Sequence, residues 1–317
     1  MQSKYVWMNG EMVEFEKATI HFLTPALHYG MGVFEGIRSY ATANGPAIFR
    51  LKDHAERLVG SARVIGFRSI PYSAEEIAEA IKRVVEINGF NECYIRPLIY
   101  LTGGGWNLNI DGGTPGIGIA AWEWTNYLGK DAIEHGVRAN IASFTRHHPN
   151  VAMTKAKISG NYVNSFLAKT ESVRLGFEEA ILLEPQGYVA ECTGENLFLV
   201  KNKTIYTPVL APVLEGITRD SLITLARDHG YQVVEAPVSR DQLYTADEVF
   251  VCGTAAECIA LREIDFRVIG NGSTGPVTCT LQKEFQAAIH GTHERSGEWL
   301  DYVSTSPGKT YRLTGSE

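Results

Sequence analysis

Two lysines lie close together near the middle of the chain, Lys155 and Lys157, among small and apolar residues. A helical pattern marked by Tyr162, Phe166 and Leu167 begins directly after them. A lysine in an apolar setting loses part of the solvation of its charged form, which lowers its pKa. A neutral lysine amine can attack a carbonyl group and form a Schiff base, the linkage by which proteins hold pyridoxal phosphate. Alone, the segment is weak support for this chemistry, because most lysines are solvated surface charges.

Four further groups could serve a phosphorylated pyridine ring. Residues 216–218 (Gly-Ile-Thr) begin a predicted helix, where backbone N–H groups and the helix dipole favour a phosphate. Residues 253–256 (Gly-Thr-Ala-Ala) follow a predicted strand and offer more amides and a hydroxyl, and Arg57 could add a positive charge. Glu191, predicted in a tight turn, could pair with the pyridine nitrogen and keep it protonated. Each feature alone is more often structural than functional.

Hydrophobic periodicity and turn residues predict a mixture of helices and strands. The clearest local signals are the hairpin turn Asn9-Gly10 and the capping box of Ser73 and Glu76, which begins a helix that Gly89 ends. The other main predicted helices cover residues 51–64, 161–175, 218–229 and 276–291. The predicted strands after the hairpin cover residues 36–40, 93–100, 117–124, 137–143, 179–183, 197–200 and 248–252.

A short polar stretch after residue 124 divides the chain. We therefore predict two domains, a small α/β domain over residues 1–124 and a large domain over residues 134–317, with a linker over 125–133. The large domain would carry both central lysines. The expected fold class is mixed α/β or α+β.

The composition is typical of a globular protein, with 317 residues, 44% of them hydrophobic and 21% charged. A net charge of −7 and the lack of basic runs argue against nucleic-acid binding. Five cysteines without a C-x-x-C pair argue against a disulfide framework and a zinc site, so no metal is expected. The N-terminal residues match neither a secretory signal nor a transit peptide, and no apolar run could span a bilayer. We expect a cytoplasmic protein without a membrane partner.

Three short motifs are set aside because their context is unsuitable. Residues 116–121 fit G-x-G-x-x-A but run on into Trp122, which is typical of a buried strand and not of a nucleotide-binding loop. The Gly-Lys-Thr at 308–310 lacks the first glycine of a phosphate loop, since Val303 stands in its place. His147 and His148 have no carboxylate at ligand spacing, so they are more often loop residues than metal ligands.

Six strings, in order along the chain, closely resemble those of the branched-chain amino acid aminotransferases, which are class IV aminotransferases of pyridoxal phosphate fold type IV. The strings lie at residues 28–38, 94–98, 157–162, 191–198, 216–220 and 253–257. The resemblance implies a two-domain fold with pyridoxal 5′-phosphate in the cleft between the domains, and a homodimer or higher homo-oligomer. The implied reaction transfers the amino group of leucine, isoleucine or valine to 2-oxoglutarate in ping-pong order.

The resemblance also implies roles for individual residues. Lys157, at the family's distance before Gly160, would form the Schiff base and act as the catalytic base, whereas Lys155 is a departure from the family pattern. The implied cofactor-binding residues are Lys157, Arg57, Tyr162, Glu191, Asn196, Ile217, Thr218 and Thr254. The implied substrate-binding residues are Tyr29, Phe34, Arg38, Tyr94, Arg96, Leu108, Trp124, Tyr127, Thr254, Ala255 and Ala256. Of these, Leu108 would reach the pocket from a neighbouring subunit.

Several alternatives stay open at this stage. Within the fold family they are a D-amino acid aminotransferase, an (R)-amine aminotransferase and an aminodeoxychorismate lyase, all disfavoured by the string at 94–98. Outside it, a cofactor-free binding protein is disfavoured by intact Lys157 and Glu191. Lys155 could lower the pKa of Lys157, or it could face solvent or pair with an acid. The glycine-rich loop 103–109 does not match the family and could shift the substrate range, for instance toward aromatic substrates.

Overall fold

The computed structural model describes residues 3–124 and 130–304. The described residues form two compact units, the first made of residues 3–124, 156–160 and 287–304 and the second of residues 130–155 and 161–286. This division differs from the predicted domains. Lys157 belongs to the first unit, and residues 134–317 do not form one continuous domain.

Backbone pairing explains why two distant segments join the first unit. Ile158 forms an isolated antiparallel bridge with Val33, and the Phe34 N–H donates to the carbonyl oxygen of Lys157 at 3.1 Å. Close to the end of the described chain, Leu300 pairs with Phe49. Pairs this far apart in sequence leave no trace in hydrophobic periodicity, so a linear division of the chain could not include them.

The helices of the described residues have the bounds α1 (Pro25–Tyr29), α2 (Leu51–Val64), α3 (Ala74–Asn88), α4 (Lys130–His135), α5 (Tyr162–Arg174), α6 (Ile217–Asp228), α7 (Arg240–Tyr244), α8 (Pro276–Ile289) and α9 (Ser296–Trp299). Five of them, α2, α3, α5, α6 and α8, lie close to their predicted positions, and the short helices α1, α4, α7 and α9 were not predicted. The capping box of α3 is confirmed, because the Ser73 N–H donates to Glu76 and the Glu76 N–H donates to the Ser73 hydroxyl. Gly89 ends α3 with a φ of 68°, a left-handed conformation that glycine adopts without strain. No helix among residues 3–124 and 130–304 has both the length and the apolar content of a membrane span.

The strands form two sheets, one in each unit. Their bounds are β1 (Tyr5–Met8), β2 (Glu11–Glu14), β3 (Gly32–Phe34), β4 (Ile37–Thr42), β5 (Gly45–Phe49), β6 (Cys93–Gly103), β7 (Thr114–Trp122), β8 (Val137–Thr145), β9 (Glu179–Leu183), β10 (Val189–Cys192), β11 (Asn196–Lys201), β12 (Thr204–Thr207), β13 (Val233–Glu235), β14 (Glu248–Gly253), β15 (Glu257–Ile264), β16 (Arg267–Val268) and β17 (Leu300–Tyr302).

The sheet of the first unit runs in the order β17-β5-β4-β6-β7-β1-β2, with β3 paired to β6, and its described pairs are antiparallel. The predicted hairpin turn is confirmed, since Met8 pairs with Glu11 across Asn9 and Gly10, which both have positive φ. Helices α2 and α3 pack on this sheet and share its apolar core, in which Leu58 and Ile81 are fully buried.

The sheet of the second unit runs in the order β10-β9-β8-β15-β14-β11-β12-β13, with β16 paired to β15. It is mixed, because β8 pairs in parallel with both β9 and β15, whereas β14 pairs antiparallel with β11 and β15. The core of this unit includes fully buried Ile181, Leu197 and Val251. The predicted mixture of helices and sheets is thus confirmed in both units.

Candidate active site

The backbone of Lys157 is held from two sides within the first unit. Its N–H donates to the hydroxyl of Ser61 on α2 at 3.1 Å, and its carbonyl oxygen accepts from the N–H of Phe34 at 3.1 Å. Gly160 lies against Gly30, where a Cβ on Gly30 would come within 2.8 Å of the Gly160 Cα. The lysine therefore leaves a rigid segment, and its Nζ lies 5.2 Å from the centre of the Phe34 ring.

A second cation contacts the same aromatic ring. The Arg96 guanidinium carbon lies 4.6 Å from the centre of the Phe34 ring, and an Arg96 Nη donates to the Tyr94 hydroxyl at 3.0 Å. This bond shows that Tyr94 and Arg96 lie on the same face of β6, as residues two positions apart on a strand do. Trp124 lies against Tyr94 with ring centres 5.2 Å apart. These residues of the first unit place an amine, a guanidinium and an apolar ring together.

Two buried nitrogen atoms in this group suit a polar ligand. Arg96 Nε and Trp124 Nε1 are buried, and neither has a hydrogen-bond partner within residues 3–124 and 130–304. Leaving a buried N–H without an acceptor costs about 1–3 kcal/mol. A carboxylate beside the Phe34 ring would offer acceptors to such donors.

Arg57 on α2 makes a two-pronged ion pair with Glu35. The Arg57 Nε lies 2.7 Å from Glu35 Oε1, and an Nη lies 2.8 Å from Oε2. His54 Nδ1, one turn earlier on α2, lies 2.8 Å from the same Oε2. Burial raises the pKa of Glu35, but the charge of Arg57 and the hydrogen bonds from His54 and Arg57 outweigh it and hold the pKa well below its usual range. Glu35 is therefore ionised at neutral pH.

Glu191 is the centre of a polar group in the second unit. It lies on β10 and not in a tight turn, which corrects the prediction. The pairing of β10 with β9 shifts register between Val189 and Glu191. Arg146 Nε lies 2.8 Å from Glu191 Oε1. The backbone N–H of Leu214 donates to Oε2 at 3.2 Å, and the Asn196 amide donates to it at 3.4 Å. The carboxylate is thus buried, accepts two hydrogen bonds through Oε2 and forms an ion pair with Arg146 through Oε1.

The same contacts connect Glu191 to the start of α6. The Asn196 amide also donates to the Leu214 carbonyl at 3.0 Å, and a Cβ on Gly216 would come within 1.9 Å of Asn196 Oδ1, so a side chain there would displace the Asn196 amide. Gly216 is the N-cap of α6 and has no side chain to accept from Ile217 and Thr218 N–H groups, so these can serve an anion. A carboxylate and a helix N-terminus at fixed spacing suit a ligand with a basic ring nitrogen and a phosphate.

The role of Lys155 differs from that of Lys157. In the second unit its Nζ lies 3.1 Å from Glu215 Oε1 and donates to the carbonyl oxygens of Leu210 and Val213. Of the alternatives that the sequence left open, pairing with an acid is the one observed. Lys155 fastens the loop that leads into α6.

Residues 32–264 match the family model of amino-transferase class IV, which is more than half of the chain. The chain belongs to the class IV aminotransferases. Sequence comparison with curated proteins finds 47% identity over 298 residues to the branched-chain-amino-acid aminotransferase of Pseudomonas aeruginosa, covering 94% of this chain and 97% of that protein.

Solved structures of class IV aminotransferases are similar over nearly the whole chain. The T.th. branched-chain amino acid aminotransferase complexed with N-(5′-phosphopyridoxyl)-L-glutamate is 47% identical, with a TM-score of 0.92 and coverage of 96% of this chain and 100% of that chain. The Escherichia coli branched-chain amino acid aminotransferase is 43% identical, with a TM-score of 0.93 and coverage of 96% and 100%. The predicted family and fold are confirmed.

The remaining predicted site residues of this class IV aminotransferase lie in several places. Tyr29 ends α1 and its ring centre lies 5.7 Å from that of Trp106, whereas Leu108 is 79% exposed. Arg38 is buried on β4 and pairs with Glu92 at 2.7 Å. Tyr162 begins α5, and the turn between β14 and β15 consists of Thr254, Ala255 and Ala256. Tyr127 lies outside the described residues.

Sequence reasoning missed several residues that support this aminotransferase site. Arg146 is not among the residues that the sequence predicts for the site, and nothing near it in sequence indicates that it reaches Glu191. Ser61 and His54 were not singled out, yet a signal existed. They share one face of α2 with Arg57, at spacings of three and four residues. Polar residues on the buried face of an amphipathic helix indicate partners elsewhere in the chain. No group of three or more metal-ligating side chains occurs in the described part of the chain.

A buried carboxyl group follows β10 in the aminotransferase. Glu195 is 3% exposed and accepts from the Gly194 N–H at 3.0 Å. Burial and the nearby carboxylate of Glu179 raise its pKa from 4.5 to about 8. Glu179 itself is paired with Lys169 and accepts from the Thr193 hydroxyl. Glu195 is thus largely protonated at neutral pH in the folded protein.

Glu195→Gln should therefore make the unfolding free energy depend less on pH. Between pH 4.5 and about 8 the unfolded carboxyl group ionises while the folded one keeps its proton, so the free energy of unfolding falls as pH rises through this window. The neutral glutamine does not ionise, so this decrease in the free energy of unfolding is absent from the variant. The stability of the variant relative to the original protein should therefore increase from about pH 5 to about pH 8. Urea unfolding midpoints at both pH values measure it. Equal pH dependence in both proteins would contradict the assignment.

Proposed function

We propose that the chain is a branched-chain amino acid aminotransferase that uses pyridoxal 5′-phosphate. It would transfer the amino group of leucine, isoleucine or valine to 2-oxoglutarate, giving a branched 2-oxo acid and L-glutamate. The observation that carries the proposal is the Phe34 ring, which Lys157 Nζ approaches to 5.2 Å and the Arg96 guanidinium to 4.6 Å. An apolar surface between a reactive amine and a cation suits an amino acid with a branched side chain.

The residues around Lys157 and around Glu191 fit the cofactor. Lys157 would bond to it, Tyr162 would hydrogen-bond its ring hydroxyl, and Glu191 would pair with its ring nitrogen, with Asn196 holding Glu191 in place. The phosphate would bind to Arg57, the start of α6 at Ile217 and Thr218, and the hydroxyl of Thr254. When bound, pyridoxal phosphate supplies an aldehyde that reacts with amines and a ring that withdraws electrons from the substrate α-carbon.

Lys157 has two proposed tasks. Its amine would bond to the cofactor, and when a substrate is bound, Nζ would act as the base that takes the proton from the substrate α-carbon. The fixed backbone of Lys157, held by Ser61 and Phe34, limits the positions that Nζ can reach. Proton transfer by a positioned side chain contributes about 10²–10⁴-fold to a rate.

The substrate pocket must accept both an apolar side chain and the γ-carboxylate of glutamate. Phe34, Tyr29, Trp124 and Tyr127 are the proposed apolar walls, and burying a branched side chain against them is worth about 1.5–3 kcal/mol. The α-carboxylate would bind at the turn 254–256 and at the Tyr94–Arg96 pair. Arg38 is a further residue of the proposed substrate-binding group. The same Tyr94–Arg96 pair would meet the γ-carboxylate when glutamate is the substrate.

Three finer expectations from the sequence stay predictions. They are the binding of the cofactor between the two domains, a homodimer in which Leu108 of one subunit completes the pocket of the other, and a cytoplasmic location. Size measurement of the purified protein in solution would test the second directly.

A panel of amino donors tests the proposed substrate class. With 2-oxoglutarate as acceptor, L-leucine, L-isoleucine and L-valine should each be converted with kcat/KM at least about tenfold above L-alanine, because the extra apolar surface is buried in the pocket. D-alanine and an (R)-arylamine serve as donors for the alternative activities of the fold family. Turnover of either of these without turnover of the branched L-amino acids would overturn the proposal. Comparable turnover of L-phenylalanine would show that the substrate range extends to aromatic amino acids.

A further inference from the structure

Glu35 is a fully buried carboxylate that belongs to none of the predicted binding groups. It follows β3 and precedes β4, its side chain is 0% exposed, and it faces α2. Both of its oxygens accept from Arg57, at 2.7 and 2.8 Å, and one also lies 2.8 Å from His54 Nδ1. Burying a carboxylate costs free energy unless it is paired and hydrogen-bonded. Glu35 meets this condition through its bonds to Arg57 and His54.

The pair with Glu35 fixes the plane of the Arg57 guanidinium. Arginine has five N–H donors in a rigid fork, and a carboxylate that binds Nε and one Nη takes two of them in a single orientation. The Arg57 side chain is 15% exposed, whereas Glu35 is not exposed at all. The guanidinium thus presents one edge, with Nε and one Nη, to Glu35, and its remaining N–H groups point away from that edge.

His54 also holds the Glu35 carboxylate in place through a hydrogen bond. Burial lowers the pKa of His54, and its hydrogen bond to Glu35 opposes this without reversing it. A neutral imidazole that donates from Nδ1 holds the carboxylate without adding charge. The result is a layered arrangement in which His54 orients Glu35 and Glu35 orients Arg57.

We propose that Glu35 is a positioning residue for the cofactor: it holds Arg57 in the one orientation in which the remaining N–H groups meet the phosphate. This inference rests on the proposed role of Arg57 in the section above. An arginine that is already ordered loses less side-chain entropy when the phosphate binds. Without Glu35 the guanidinium can turn, and part of the binding free energy is spent on ordering it.

The same helix face connects this support to the reactive lysine. His54, Arg57 and Ser61 follow each other at spacings of three and four residues on α2, and the Ser61 hydroxyl accepts from the Lys157 N–H at 3.1 Å. The charges of both Arg57 and Lys157 act on His54 and lower its pKa. One face of α2 therefore supports both the arginine proposed for the phosphate and the lysine proposed for the aldehyde.

The test is a double-mutant cycle on cofactor affinity, with Glu35→Gln, Arg57→Gln and the double variant. The quantity measured is the dissociation constant of pyridoxal 5′-phosphate. Each holoenzyme is transferred to cofactor-free buffer, and the release of the cofactor is followed by its absorbance. Arg57→Gln should raise this constant by about 100-fold and Glu35→Gln by about tenfold. The double variant should be no weaker than Arg57→Gln alone, because Glu35 acts through Arg57.

The matched control is Glu248→Gln, in which another buried carboxylate loses its charge. Glu248 accepts from the Val277 and Thr278 N–H groups and from the Thr278 hydroxyl. The Glu248→Gln variant should therefore have a changed melting temperature and an unchanged cofactor affinity. The ³¹P NMR signal of the bound phosphate gives a second readout, which should shift in Glu35→Gln and not in Glu248→Gln. A milder variant, His54→Leu, removes one hydrogen bond to Glu35 and should raise the dissociation constant about threefold.

The outcomes separate this inference from the proposed role of Arg57. Arg57→Gln could weaken cofactor binding while Glu35→Gln and His54→Leu leave it unchanged. In that case Glu35 has no positioning role, and the proposed contact of Arg57 with the phosphate stands. If the two effects simply add in the double variant, Glu35 acts on cofactor affinity independently of Arg57 and the inference fails. If Arg57→Gln leaves affinity unchanged, both fail together.

Discussion

Lys157→Ala should abolish transamination, with a loss of at least about 10⁴-fold in kcat. It should also remove the long-wavelength absorbance of the lysine-bound cofactor. The variant loses the amine that holds the cofactor and, in the same change, the base that takes the proton from the substrate. Because Lys157 leaves a segment held by Ser61 and Phe34 through its backbone, an alanine keeps those bonds and the fold should persist.

Lys155→Ala is the matched control for this prediction. It removes a partly exposed ion pair with Glu215 and two bonds to loop carbonyls, and exposed pairs of this kind are worth about 0–1 kcal/mol. We expect the cofactor absorbance to be kept and kcat to change by less than about threefold. The reverse pattern, with the absorbance lost only in Lys155→Ala, would assign the cofactor bond to the other lysine.

Glu191→Gln should lower kcat by about 10²–10³-fold, the usual effect of removing one preorganised charged group from an active site. The negative charge of Glu191 would keep the cofactor's ring nitrogen protonated, and a neutral amide cannot do so. The ring then withdraws electrons less strongly from the substrate α-carbon. Steady-state kinetics with L-leucine and 2-oxoglutarate measure the loss, and cofactor content should be determined in the same preparation.

The Glu191 variant needs a control for stability, because Arg146 would lose its partner. Breaking a buried ion pair costs about 3–5 kcal/mol, so the melting temperature must be measured with the kinetics. Glu184→Gln is a suitable comparison, since Glu184 is also buried and accepts from the Gln186 and Tyr188 N–H groups in the turn before β10. It should lower stability and leave kcat nearly unchanged. A kcat for Glu191→Gln as high as that of Glu184→Gln would remove Glu191 from the catalytic group.

Local signals in the sequence predicted local structure well. Asn9-Gly10 predicted the hairpin because both residues must adopt positive φ, and they do. The Ser73–Glu76 capping box predicted the start of α3 because its two bonds span only three residues. The bounds of α2, residues 51–64, were predicted as observed. In each case the determining contacts lie within a few residues.

Features that depend on distant residues were beyond prediction. The pair of Arg146 and Glu191 joins residues 45 positions apart along the chain, and the Ser61 hydroxyl meets the Lys157 N–H across 96 positions. The assignment of Lys157 to the first unit rests on the pairing of Val33 with Ile158. Lys155 shows the same limit, because its neighbours in sequence do not include the loop 210–215 that it binds.

Borohydride reduction of the holoenzyme, followed by peptide mass mapping, identifies the lysine that is bonded to the cofactor. Reduction converts a lysine–cofactor Schiff base into a stable secondary amine, so the modified residue can be located by fragmentation. The account predicts that the pyridoxyl group is found on Lys157 and that Lys155 is unmodified. A pyridoxyl group on Lys155, or on neither lysine in protein that retains transaminase activity, would contradict it.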